Sequence, residues 1–262
     1  MPMKKYTIIH PLYMSFYSKS LYREVAAEWS ARLCFLYLLS LVALCWIPGT
    51  IRISSEITDY VNDEAPKYIR QFPEIEISKG QASVSAAQPY IIKNPDNGDP
   101  IAIIDTTGQT ASMDNPRTLI LLTKTGLITR DYGSKEMHTV NLSDVGDITI
   151  NKDLIYDWIE AFTEWFPFAF YPAAVAAAFV YRSIQVLLYA LGGSVFLRGL
   201  MGVFNYRLLI RLSTVSLTPV IILNAIVLFF GIEIPASWLV NALVSAGYLI
   251  FAIRSAVGPA KE

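Results

Sequence analysis

Histidine and cysteine are scarce in this chain: two of each in 262 residues. Between residues 51 and 164 there is one histidine, His138, and no cysteine. That block therefore cannot be a disulfide-stapled module, and it cannot hold a zinc site built from Cys and His. Charge is scarce too. Only 16% of residues are Asp, Glu, Lys or Arg and 53% are hydrophobic, where soluble domains carry about a quarter charged residues. No glycine-rich phosphate loop and no nucleophile elbow around a serine occurs anywhere.

The missing charges are missing in particular places. Residues 33–51, 212–232 and 234–253 contain none, and 165–197 contains only Arg182. A helix needs ~20 apolar residues to cross the ~30 Å hydrocarbon layer, so each stretch predicts a membrane span. Mean hydropathy of +0.41 agrees. The block 51–164 differs, with ten Lys/Arg against eighteen Asp/Glu, and reads as an aqueous domain. The rest of the chain has eleven basic and four acidic residues.

Basic residues near span ends tend to remain cytoplasmic. Lys4, Lys5, Lys19, Arg23 and Arg32 precede the first span, Arg198, Arg207 and Arg211 fall between the second and third, and Arg254 and Lys261 follow the last. Four spans with both termini inside place all three groups together. The expected organisation is a cytoplasmic segment 1–32, span 33–51, an extracytoplasmic domain 52–164, span 165–197, a cytoplasmic loop 198–211, spans 212–232 and 234–253, and a cytoplasmic tail 254–262. The fold class is α+β: four transmembrane helices with a β-rich extracytoplasmic domain inserted between helices 1 and 2. The first apolar run begins after residue 32 and is long enough to span, which argues against a cleaved signal peptide. Cys34 and Cys45 share that run, ~16 Å apart along one helix, too far to pair.

Leu12, Phe16, Leu21, Val25 and Trp29 recur at helical spacing, which predicts an amphipathic helix in the cytoplasmic membrane interface. The run HPLYMSFYSKSLYREV, the first span ending in IPG, the later IDTTG and the stretch RLSTVSLTPVIILN resemble a bacterial membrane family catalogued as domain of unknown function 1189. Some members carry a maltodextrin-utilisation label, and the wider likeness is to Yip1-like membrane domains. The resemblance implies a bacterial inner-membrane location and carries over no active residues.

Within 52–164, a helix marked by Ile53, Ile57, Tyr60 and Tyr68 is expected to continue out of the first span until Pro66 disturbs it. Alternation and turn chemistry then predict about seven short strands, at Ile75–Ser78, Ala82–Ser85, Tyr90–Ile92, Ile101–Ile104, Leu119–Thr123, Leu127–Arg130 and Thr139–Leu142. Asn151 caps a helix carrying Leu154, Trp158 and Phe162, and Pro167 is placed to open the next one. The apolar faces around Ile57/Tyr60 and Trp158/Phe162 are expected to cover the sheet. The second span is too long: 33 residues make ~50 Å of helix, so it either projects from the bilayer or breaks near Gly192-Gly193. Pro219 should kink the third span, with Thr214, Ser216 and Thr218 satisfying freed backbone groups. Ala173/Ala177, Ala174/Ala178 and Ala242/Ala246 are small pairs four apart that permit close helix approach.

Each chemical candidate has a plainer reading beside it. Arg182 is the one charge inside an apolar stretch; it either snorkels to the headgroups or pairs with Asn224 or a lipid phosphate. Asp105-Thr106-Thr107-Gly108 superficially resembles the site of a phosphorylatable aspartate, but it faces outward with no nucleotide site, so a strand-ending turn is favoured. Asp96, Asn97 and Asp99 lack calcium-loop spacing and read as a hairpin tip. His138 reads as an ordinary strand residue, and no metal or cofactor is called for. Asn141-Leu-Ser143 fits a glycosylation sequon, whose use the bacterial resemblance argues against.

The expectation is a non-enzymatic accessory, scaffold or regulatory subunit of an envelope complex. Its partners are membrane lipids and another envelope or membrane protein or a second copy, not nucleic acid. The alternative is a transporter or lipid-handling subunit whose path is lined by Arg182 and the kinked third helix.

Overall fold

A computed structural model describes residues 6–110, 117–131, 136–201 and 205–257. Lys4, Lys5, Lys135 and Lys261 lie outside the described residues. The protein is α+β, and four of its helical segments are long and apolar enough to cross a membrane. It divides into two compact units: residues 1–53 with 167–262, and residues 54–166.

The first unit is helical. Helix α1 spans Pro11–Met14 and α2 spans Lys19–Glu28, the latter opened by Ser18, whose side chain accepts from Leu21 N. The periodic face of α2 lies against other helices. Leu21, Tyr22, Val25 and Trp29 are fully buried against α5 (Tyr206–Ser216) and α7 (Ser237–Val257). Tyr22 meets Phe251 edge to face at 5.7 Å. Of the periodic residues expected to face the interface, Leu21, Val25 and Trp29 are packed on other helices, whereas Phe16 is exposed.

Helix α3 runs unbroken over Ala31–Ile69 and α4 over Lys152–Met201. One expected boundary therefore fails, and of the two alternatives for the long second span the unbroken helix holds. Pro167 does not open a helix; it and Pro172 sit inside α4, where each removes one ladder bond without ending the helix. Gly192-Gly193 does not break α4 either, and the expected loop 198–211 is helical up to Met201 and again from Tyr206. The two helices pair antiparallel within this unit, through Trp46 on Phe170 at 6.2 Å, Phe35 on Phe179 at 6.4 Å, and Tyr171 OH donating to Ala43 O at 3.0 Å.

The third span divides at Leu217 into α5 and α6 (Thr218–Phe230). Pro219 cannot donate to the Val215 carbonyl and its ring crowds it. The buried hydroxyls take up local acceptors: Thr214 Oγ1 donates to Ile210 O at 2.8 Å, and Ser216 Oγ to Ser213 O at 3.0 Å. Thr218 Oγ1 bonds Tyr37 OH at 2.7 Å. The close approaches are made by glycines. A Cβ on Gly49 would overlap the Leu228 side chain, and Gly193 lies against Leu209, Leu249 and Ile253. Ala177, by contrast, is exposed, and Ala246 is only half-buried, so the Ala173/Ala177 pair makes no tight seam within the chain.

The second unit contains all the described strands. Strands β1 (Ile75–Ser78), β2 (Gln81–Val84) and β8 (Ile148–Ile150) form one sheet in the order β2-β1-β8. Lys79 and Gly80, both at positive φ, make the β1–β2 turn, as a two-residue hairpin with right-handed twist requires. The other sheet is β3 (Tyr90–Lys93), β4 (Pro100–Asp105), β5 (Ile120–Thr123), β6 (Gly126–Arg130) and β7 (Met137–Asn141), in that order. It is antiparallel except at β4–β5, where Ala102 to Asp105 run alongside Ile120 to Thr123.

The core of this unit is Ile75, Ile77, Ala82, Ile92, Ala102, Ile104, Leu122 and Leu142, with Phe72, Tyr90, Leu127 and Ile150 packed on it. Burying each large aliphatic chain contributes roughly 1.5–3 kcal/mol. The flanking helices add nothing to this cluster: Tyr60, Trp158 and Phe162 are exposed. The expectation that their faces cover the sheet is corrected, because the strands already cover one another.

Candidate functional site

The structure gathers two of the singled-out polar residues onto one cavity of about 490 Å³ in the helical unit. Arg182 comes from α4, Asn224 from α6, and Val42, Cys45 and Trp46 from α3; Phe170, Ala174, Ala177, Ala178 and Tyr181 complete the α4 wall. Position explains the wall. Residues 170, 174, 177, 178, 181 and 182 recur at helical spacing on one face of α4. Because Ala177 and Tyr181 on that wall are exposed, the cavity opens sideways from the bundle.

The Arg182 guanidinium is engaged by side chains of its own helix. Its Nη1 donates to Gln185 Oε1 at 2.7 Å, and Gln185 Nε2 donates to Tyr181 OH at 3.0 Å. The Tyr181 ring lies 5.4 Å from Arg182 Cζ, within cation–π range. Among the described residues, no carboxylate forms an ion pair with Arg182 and no hydrogen bond joins it to Asn224. The pairing with Asn224, one of the alternatives that the sequence offers, is therefore a shared cavity and not a bond. Asn224 also lines a second cavity of about 440 Å³ with Glu233, Ser237 and Asn241.

Sequence reasoning misses Gln185, although a signal for it exists: three residues after a lone membrane arginine, it lies on the same helix face. It misses Arg52 as well. That residue follows the first span directly, and its Nη1 donates to Leu228 O at 2.7 Å at the end of α6, where a cation favours the helix dipole.

Asp105, Thr106, Thr107 and Gly108 form a closed turn at the end of β4. Asp105 is fully buried. Its Oδ1 accepts from Thr107 N at 2.9 Å, Thr107 Oγ1 at 2.6 Å and Gly108 N at 3.2 Å, and its Oδ2 accepts from Thr110 N. Gly108 sits at φ +82°. Gln88 Oε1 takes up both Thr106 N and Thr106 Oγ1. The Thr107 and Thr110 hydrogen bonds hold the Asp105 carboxyl well below the usual carboxylate range, against the opposing effect of burial. A carboxylate engaged on both oxygens by its own loop fixes the turn.

Asn94 and Asn97 side chains accept from Asp96 N and Asp99 N, and Asp99 pairs with Arg117. His138 Nε2 lies 3.9 Å from Asp131 on an exposed strand. Among the described residues, no three His, Cys, Asp or Glu converge to hold a metal ion.

No curated protein and no solved structure matches the chain. A family match covers residues 9–253, which takes in the helical unit, the cavity wall and the Asp105 turn together. The chain belongs to the family described as "Protein of unknown function (DUF1189)".

Proposed function

We propose that this chain is a non-enzymatic accessory protein of the bacterial cytoplasmic membrane, a scaffold or regulatory subunit of an envelope complex. Both termini are cytoplasmic and residues 52–164 are outside. One observation carries the docking role: Tyr60, Tyr156, Trp158 and Phe162 are exposed on helices of the second unit and take no part in its core. Aromatic surface of this kind marks interaction sites. Glu56, Asp59 and Asp63 on α3 and Asp153, Asp157 and Glu160 on α4 accompany it, so a partner with basic and apolar groups is the complement.

The orientation is supported within the helical unit. Arg23 Nε donates to Ser255 O at 3.1 Å and Arg211 Nη1 to Ala26 O at 3.0 Å, which brings three basic regions to one end. Arg52 meets the other end of α6. A photoreactive residue at position 158 or 162, activated in native membranes, should give a discrete protein adduct, and one at Asn97 should not. Adducts to lipid alone at both helix positions would end the docking role.

A second reading, a lipid-handling subunit, is favoured by the Arg182 cavity. It combines a cation lacking an ion-pair partner among the described residues with an apolar wall.

A further inference from the structure

The lipid-handling reading, on which this inference rests, does not say what occupies the cavity. We propose that it binds one anionic phospholipid, with the phosphodiester on the Arg182 guanidinium and an acyl chain along the Phe170–Ala174–Ala177 strip of α4.

The charge favours a partner of this kind. A guanidinium offers five N–H donors, and Gln185 Oε1 accepts the one hydrogen bond seen at Arg182. Unsatisfied polar groups in hydrocarbon cost several kcal/mol each. The Tyr181 ring interacts with the Arg182 side chain, but it supplies no in-plane acceptor for the remaining N–H groups. No acidic residue lines the cavity, so nothing there competes with an incoming anion. A planar fork on a phosphate is the pairing that arginine makes best.

The apolar wall fits the rest of the lipid. From Phe170 to Arg182 the α4 strip is ~18 Å long, comparable to one leaflet of a ~30 Å hydrocarbon core. About 490 Å³ lies within the usual range for a small-molecule site. Depth agrees as well. Phe179 is level with Phe35, near the start of α3, and Arg182 is about one turn further along α4. The Arg182 backbone thus lies toward the end of the bundle where Arg211 meets Ala26, while its side chain lines the cavity with Cys45. A phosphate there sits near the headgroups of that leaflet, and its chain runs toward the bilayer centre.

The test uses the full-length protein in nanodiscs of phosphatidylcholine containing a minor fraction of phosphatidylglycerol, followed by native mass spectrometry of retained lipid. The wild type should keep phosphatidylglycerol in preference to phosphatidylcholine. Arg182→Gln should lower that retention about tenfold or more, as loss of a charge-assisted contact implies. Arg254→Gln, an interfacial cation away from the cavity, should leave it unchanged, and added inorganic phosphate should not displace the lipid. Circular dichroism and monodispersity check the fold. If Arg182→Gln does not fold, Ala178→Leu supplies the reading: it keeps the charge, fills the wall, and should lose the lipid. Equal retention of both lipids, or wild-type retention in Arg182→Gln, overturns the site. A separate leaflet-exchange assay with labelled phosphatidylglycerol addresses the parent reading. Retention without movement keeps the site and removes the handling role; movement without retention removes the site alone.

Discussion

Arg52 reaches across from α3 to cap α6, and its guanidinium occupies the space where a β-carbon on Gly231 would stand. Gly231 is also at φ +65°, closing α6 with bonds to Leu228 O and Val227 O. The left-handed cap calls for glycine, and a β-carbon there would also make the Arg52 guanidinium shift. Gly231→Ala should lower stability by roughly 1–3 kcal/mol, read as a drop in melting temperature in detergent. Arg52→Ala should be destabilising alone yet soften the effect of Gly231→Ala, a coupling that a double-mutant cycle measures. Strict additivity would show that the two residues do not act on each other.

Asp105 gives a pH dependence with a defined sign. Its carboxyl is held below its usual range in the folded protein, so it adds stability that is fully present above the unfolded value of about 3.9. That stability is lost as pH falls through the lower folded value. Unfolding of the second unit should therefore become easier on acidification below about pH 4. Asp105→Asn, which turns one acceptor into a donor facing donors, should cost about 1–3 kcal/mol at neutral pH and flatten this dependence. An unchanged acid limb in Asp105→Asn would remove the carboxylate from the explanation.

The core of the second unit begins at Phe72 and ends at Ile150. A fragment of residues 72–150 should thus be soluble and mostly β by circular dichroism. Adding the helices to give 53–164 should raise its stability by about 1–3 kcal/mol, since it restores buried Ile69 and the Gln71 hydrogen bonds to Tyr90 and Lys93. A coil spectrum for 72–150 beside a folded 53–164 would restore the covering role to the helices.

What the sequence reveals follows from how local each signal is. The spans are legible because missing charge over twenty residues has one physical meaning, and the strand positions because turn residues such as Lys79-Gly80 and Lys124-Thr-Gly126 set them off. The eighth strand, Ile148-Thr-Ile150, is not legible. It is three residues long, and its partner is β1, some seventy positions earlier. Whether the α2 face meets lipid or protein is likewise a tertiary matter, since both environments select the same periodicity. Arg182 stands out as a lone charge, but its cavity depends on how α3, α4 and α6 pack, which no single stretch encodes.

Membrane orientation is the claim on which the rest depends, and accessible cysteines test it most directly. The native thiols are a modest background: Cys34 is buried and Cys45 half-buried. An impermeant thiol reagent applied to intact cells should label Asn97→Cys, on the tip between β3 and β4, and should label Asn205→Cys only after the cells are opened. Labelling of position 205 from outside intact cells would contradict the four-span arrangement.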